Sequence, residues 1–554
     1  MNRRDFLKVG AFGTLGVATL AIPLGQQVLT KSASQLPAEH FPRPYAARFA
    51  RPPVLRPYDS GTDEQGPYAR YSLTAMAGIA NMVPGLTTPV HGYNGIFPGP
   101  VISTPKGTRT MVRVRNQLPA LHPQLGHPTH LSTHLHGSAS LPQFDGYTND
   151  LTSTGSYKEY LYPNFQPART LWYHDHAVHN TAQNVYSGLA GVYYLRDEYE
   201  REQLPQGEFD VPLVVSDAIF TEDGTLGYDD RSHSGLWGDV ILVNGVPWPT
   251  MKVKRRVYRF RILVASISRS YRFALSTGEP LTVVATDGGL MPIPQPVGRL
   301  RHGNAERYEV LIDFSGYSPG TRVDLVNRGN PDNRDFDHTG KVMRFEVTDE
   351  DFDTTNNWIP STLDVDPETT ATMSLRPDMA VNTTRLNLKR DDATQQWTID
   401  GTSWADVAAS GFRDAVASPG IGEVQIWEVE SRSGGWFHPF HLHLVDFKVF
   451  KRNTNRGQPL PWERGPKDTV YIGQNEKVSL LVRFSLGAGN TGGRYMLHCH
   501  NLPHEDHDMM AQFRVGPNDP DSDPNDPIAA APPVLDDLPP DLPEYEPPVA
   551  RPGR

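Results

Sequence analysis

The sequence predicts an all-β protein of three related sandwich domains. Asn/Asp-Gly turns recur at Asn94-Gly95, Asn244-Gly245 and Asp400-Gly401, 150 and 156 residues apart. Apolar residues alternate in the strand-like stretches beside them, as Val112 and Val114 do against Met111, Arg113 and Arg115. Long helical patterns are scarce, and short strands between Gly/Pro turns point to sandwiches. A chain of 554 residues is long enough for three cores. The repeat places the domains at 40–200, 205–375 and 380–516.

The two ends carry different signals. Arg3 and Arg4 precede an apolar run from Val9 to Leu24, short for a membrane span. Residues 1–34 therefore read as a twin-arginine export signal. Export through the Tat machinery to the periplasm or cell exterior is expected, with no stable membrane span in the mature chain. At the other end, 517–554 holds nine acidic residues, two arginines and twelve prolines, which is −7 of the formal net charge of −11. Such a tail is expected to be disordered. No basic stripe supports nucleic-acid binding.

Cys499 is the only cysteine, and an exported chain with one cysteine cannot form an internal disulfide. A metal would occupy its thiol. Ten of the twenty histidines fall in four clusters: His134 and His136; His174 and His176; His438, His441 and His443; and His498, His500 and His504. In an HxH pair on a strand both imidazoles face one way. Four such pairs, two each from the first and third domains, can converge and hold several metals. His122, His127, His130, His179 and His507 break the pattern and read as ordinary histidines.

On a strand, Cys499 faces away from His498 and His500. After a turn, His504 and Met509 can swing back to the cysteine side. With His438 they make the Cys, two His and Met set of a blue-copper electron-transfer site. Met510 is the alternative to Met509. Zinc rarely recruits a thioether. Cys499 would thus connect one copper to a neighbouring cluster through a few bonds of its own backbone.

HLHG, WYHDH, HPFHLH and HCHNLPHEDHDMM, in that order, resemble the copper-binding motifs of the multicopper oxidases. NGIFPGPVI, LVNGVPWP, ATDGGLMP and AERYEVLIDFS are similar to the spore-coat laccase and bilirubin oxidase branch. The resemblance spans about 40–516. It implies three cupredoxin-like Greek-key β-sandwich domains, four copper ions and reduction of dioxygen to water. It further implies type 1 copper at His438, Cys499, His504 and Met509, and type 2 copper at His134 and His441. The type 3 pair would use His136, His174, His176, His443, His498 and His500. Acids at the positions of Asp145 and Glu505 would help deliver protons, and His504 would receive electrons from the substrate.

These implications lead to a monomeric laccase-type oxidase that takes electrons singly from phenolic or aromatic donors. A metal-ion oxidase acting on Cu(I), Mn(II) or Fe(II) is the alternative. The absence of a Met-rich segment weighs against Cu(I). A non-catalytic copper-binding scaffold would be expected to have lost ligands, yet all twelve positions are filled. From chain proximity, 410–422 and 452–466 are expected to wall the donor pocket.

Overall fold

The computed structural model describes residues 33–123, 125–487, 489–517, 526–528, 533–539 and 542–547. Residues 1–32 of the expected export signal lie outside the described residues. All three Asx-Gly turns have both residues at positive φ: 57° and 66°, 52° and 78°, 53° and 82°. Asn and Asp tolerate this region, and Gly enters it without steric cost.

Each turn is held in the same way. The N–H of Asn94 donates to Thr74 O, that of Asn244 to Val214 O and that of Asp400 to Asn387 O. The second strand before each turn pairs in parallel with a strand after it. These pairs are Gly66–Ala80 with Arg109–Asn116, Asp210–Ala218 with Val257–Val264, and Asn382–Arg390 with Val424–Ser431. One topology is therefore used three times.

Each unit is two sheets around an apolar core. The first unit has a six-stranded and a four-stranded sheet, the second seven and five strands, and the third five and four. These are cupredoxin-like sandwiches. Helices among the described residues are short; Thr181–Ser187 and Pro367–Met373 have seven residues each. Among those residues, no helix is long and apolar enough to cross a membrane.

Without disulfides, the units are joined by packing and buried charge. Arg261 of the middle unit is fully buried, with Asp210 Oδ1 at 2.7 Å, Glu200 Oε2 at 2.6 Å and Glu309 Oε1 at 2.9 Å. Lys467 of the third unit lies 2.8 Å from Asp287 and 3.1 Å from Glu306 of the second. Charges at this depth are tolerated because each is paired.

The expectation of a disordered tail does not hold for the described tail segments. Val534–Leu535 adds to the sheet edge at Ser156–Tyr162. Arg115, buried in the first unit, lies 3.7 Å from Asp536 and donates to Pro539 O at 2.9 Å. Asn94 donates to the Tyr545 hydroxyl, and Asp526 lies 2.7 Å from the buried Arg494. Composition alone does not reveal this, because an unpaired sheet edge and buried arginines supply the partners.

Candidate metal centre

Two strand pairs build the centre. Thr133–His136 runs antiparallel to Arg169–Asp175 and sets His134 opposite His174. His438–Leu442 runs antiparallel to Gly493–Cys499 and sets His441 opposite His498, and Phe440 opposite Cys499. His176, His443 and His500 each follow their strand by one residue. All ten clustered histidines are buried, at most 1% exposed.

Their ring nitrogens converge. Ligand atoms lie within 4.8 Å of one another in His136, His174 and His500, in His176, His443 and His498, and in His134, His136 and His441. A separate group is His438, Cys499 and His504. His122, His127, His130, His179 and His507 belong to none of these groups.

Hydrogen bonds fix the tautomers. Nδ1–H of His134 donates to Asp145 O, that of His174 to Asp175 O at 2.8 Å, and that of His441 to Asp468 O at 2.9 Å. Nε2 of each ring then points inward, buried and without a partner. His498 Nε2 lies 3.2 Å from Nε2 of both His176 and His443, and His500 Nε2 lies 3.1 Å from His136 Nδ1. Lone pairs meeting so closely call for a shared cation.

Burial also sets the protonation states. Desolvation pushes His176 down to about 4 and His438 to about 3, and holds His134, His136, His174, His441, His443, His500 and His504 well below the usual range. Neutral imidazoles are the ligating form. Burial raises the Cys499 thiol far above its ordinary value, so a thiolate there needs a cation beside it. His438 Nδ1 lies 3.4 Å and His504 Nδ1 3.8 Å from Cys499 Sγ. These donors fit copper: a soft sulfur with two imidazoles on one face of the strand, and imidazoles alone on the other.

Two carboxylates touch the histidine set. Asp145 Oδ2 accepts from His443 Nδ1 at 2.8 Å, and burial raises its pKa well above the usual range. Glu505 places Oε2 2.8 Å from His498 Nδ1 and Oε1 3.5 Å from His176 Nδ1. Burial alone would raise the Glu505 pKa, but the two rings hold it below the ordinary value.

Asp468 was not legible as a site residue. Its Oδ1 accepts from His136 Nε2 at 3.0 Å while its carbonyl holds His441. Arg307 of the middle unit grips it, with Nη1 2.7 Å from Oδ1. Burial opposes the Asp468 charge, but Arg307 outweighs burial and holds the carboxyl far below its usual range. The available signal was a charged Lys467-Asp468 pair within an otherwise strand-like stretch.

The surroundings of His504 differ from expectation. It is fully buried, and its Nε2, which also meets Asn501 Nδ2 at 3.0 Å, lies 3.1 Å from Ser234 O of the middle unit. Trp397 stacks on its ring at 3.7 Å, and Trp436 meets it edge-on at 5.5 Å. Its edge is therefore covered rather than open to a donor. Among the described residues, the segments expected to wall the pocket make no hydrogen bond or ring contact with His438 or His504. Segment 410–422 runs along Met510–Val515, with the Val416 N–H donating to Gln512 O, and 452–466 closes through Arg452 on Glu463 and Glu476. Chain proximity could not reveal a loop contributed by another domain.

A thiolate–imidazole set beside an eight-histidine set, built between two cupredoxin-like units, defines a multi-site copper redox protein. Residues 76–200 and 379–519 match the description "Multicopper oxidase". The chain is 42% identical to the bilirubin oxidase of Albifimbria verrucaria over 441 residues, covering 76% of this chain and 72% of that one. It is 32% identical to a laccase of Bacillus subtilis over 484 residues, covering 77% and 90%. The crystal structure of the McoA multicopper oxidase from Aquifex aeolicus superposes with a TM-score of 0.72 at 29% identity, covering 85% and 100%. The chain belongs to the multicopper oxidase family and is an oxidoreductase that binds copper. Laccase-like oxidation coupled to dioxygen reduction fits it.

Replacing Arg307 with Met leaves Asp468 buried without its main counter-charge. Losing such a partner typically weakens metal affinity by about 10–100-fold. Copper content after dialysis should therefore fall. Unchanged copper retention would contradict this role.

Proposed function

We propose that the protein is a laccase-type oxidase with four copper ions. The observation that carries this reading is Cys499, whose neighbours His498 and His500 belong to the other donor set. His438, Cys499, His504 and Met509 would hold the type 1 ion. Met509 packs in the same core as Cys499, whereas Met510 packs with Met496, Trp404 and Tyr147, which supports Met509 as the axial ligand. His134 and His441 would hold the type 2 ion. His136, His174 and His500 would hold one type 3 ion, and His176, His443 and His498 the other. When bound, copper supplies one-electron acceptance at the first site and four-electron reduction of dioxygen to water at the other three.

The protein's own groups fix these positions and manage protons. The carbonyls of Asp145, Asp175 and Asp468 hold three histidines in one tautomer each. Asp145 and Glu505 stand against the histidine set, Asp145 with a buried Oδ1 that makes no hydrogen bond and lies 3.6 Å from His134 Nδ1. Forming two waters consumes four protons, and these two carboxyl groups are placed to hand them on. Small phenolic or aromatic molecules are the proposed donors, with dioxygen as co-substrate. Laccase and bilirubin oxidase relatives support this choice over metal ions. Twin-arginine export to the periplasm or cell exterior, and a monomeric state, complete the reading.

Replacing Cys499 with Ser should abolish both the blue absorption and oxidase turnover while the chain stays folded by circular dichroism. A strong blue band in that variant would remove Cys499 from the type 1 site. Replacing Glu505 with Gln should keep the blue band and slow dioxygen reduction by roughly 100-fold, the lower range for a lost proton-transfer group. Equal turnover across pH would take Glu505 out of the proton route.

A further inference from the structure

The covered edge of His504 raises the question of where a donor meets the protein. Loop 229–237 of the middle unit forms the cover. Ser234 O lies on His504, His233 O accepts from Trp397 Nε1 at 2.7 Å, and the His233 ring stacks on His507 at 3.6 Å. Leu236 N–H donates to Ser268 Oγ at 2.9 Å. A Cβ on Gly235, whose φ is +135°, would meet Ser268 Oγ and Trp237 Cη2 at 2.8 Å, so glycine lets the loop pack this closely. The loop is tied down at four points and leaves His504 no free edge.

The same loop carries Trp237, which starts an aromatic chain. Its ring lies 6.5 Å from Trp436 at an interplanar angle of 23°, and Trp436 lies 5.5 Å from His504. Both indoles are half-buried, whereas His504 is fully enclosed. Trp237 also lines a cavity of about 1060 Å³, together with Leu236, Tyr228, Tyr186, Phe336 and Arg334. Arg334 is exposed at this cavity, its guanidinium 5.4 Å from the Phe336 ring. It forms no ion pair among the described residues.

We propose that this cavity is the donor site, and that it takes planar phenols bearing a carboxylate. This inference rests on the laccase-type reading and adds the place and class of donor. The phenol ring lies against Trp237, and its carboxylate meets Arg334. Each phenol gives up one electron and one proton and leaves as a phenoxyl radical. The electron passes by way of the Trp237 and Trp436 rings to His504, and the proton goes to water in the cavity. The indoles serve as a contact path and are not oxidised. Four such events match one dioxygen reduced to two waters, so electrons and protons balance.

The test uses the copper-loaded full chain with a methoxylated hydroxycinnamate and, as an octahedral ion unable to stack, hexacyanoferrate(II). In Trp237→Leu the ratio of kcat/KM for the phenol to that for hexacyanoferrate(II) should fall about 10-fold, the size expected for a lost aromatic contact. Trp237→Phe should restore most of it. Arg334→Gln should raise KM about 10-fold for the carboxylated phenol relative to an uncharged methoxyphenol. Calorimetry with 4-methoxycinnamate, which lacks the phenol, should give weaker binding in both Trp237→Leu and Arg334→Gln. An unchanged ratio in Trp237→Leu, or equal binding in all three proteins, overturns the inference. Failure of the unaltered protein to oxidise any phenol would instead overturn the laccase-type reading.

Discussion

Side chains on a β-strand alternate, and the rest of the centre depends on where Gly493–Cys499 applies that rule. Its last residue is a cysteine with a histidine on either side. His498 and His500 are drawn to the interface with the first unit, while the Cys499 sulfur faces His438 and His504 in the core of the third. Two donor sets of different chemistry are thereby held one residue apart. Shifting the strand by one residue would exchange the two faces and destroy both sets.

Burying ten imidazoles and a thiol is costly unless each is neutral, hydrogen-bonded or joined to a cation. The fold meets that demand with backbone carbonyls for three rings and with Asp145, Asp468 and Glu505 for others. The middle unit supplies no histidine to the converging groups, yet it is part of the centre. Its Arg307 holds Asp468, and its loop 229–237 covers His504. Domain docking therefore shapes both sites, and the paired buried charges at the interfaces keep the units in register without a disulfide.

Much of this was legible in the sequence because it follows short-range rules. The three Asx-Gly turns, the alternating strands and the HxH pairs are local patterns with local causes. The solitary cysteine was informative because a thiol with no second cysteine to pair with, set between two histidines, points to a metal. Asp468, Arg307 and Ser234 were not legible, since each acts on a residue far away in the chain. The covered edge of His504 and the packed tail segments belong to the same class. They depend on which surfaces meet, and neither composition nor spacing records that.

The measurement that bears most directly on coupling between the two donor sets is a simultaneous record of donor consumed, dioxygen consumed and peroxide formed by the copper-loaded protein. The account predicts four phenols oxidised per dioxygen, with no peroxide at any stage. Two phenols per dioxygen with peroxide accumulating would contradict it, as would an absence of uptake by protein shown to hold its copper.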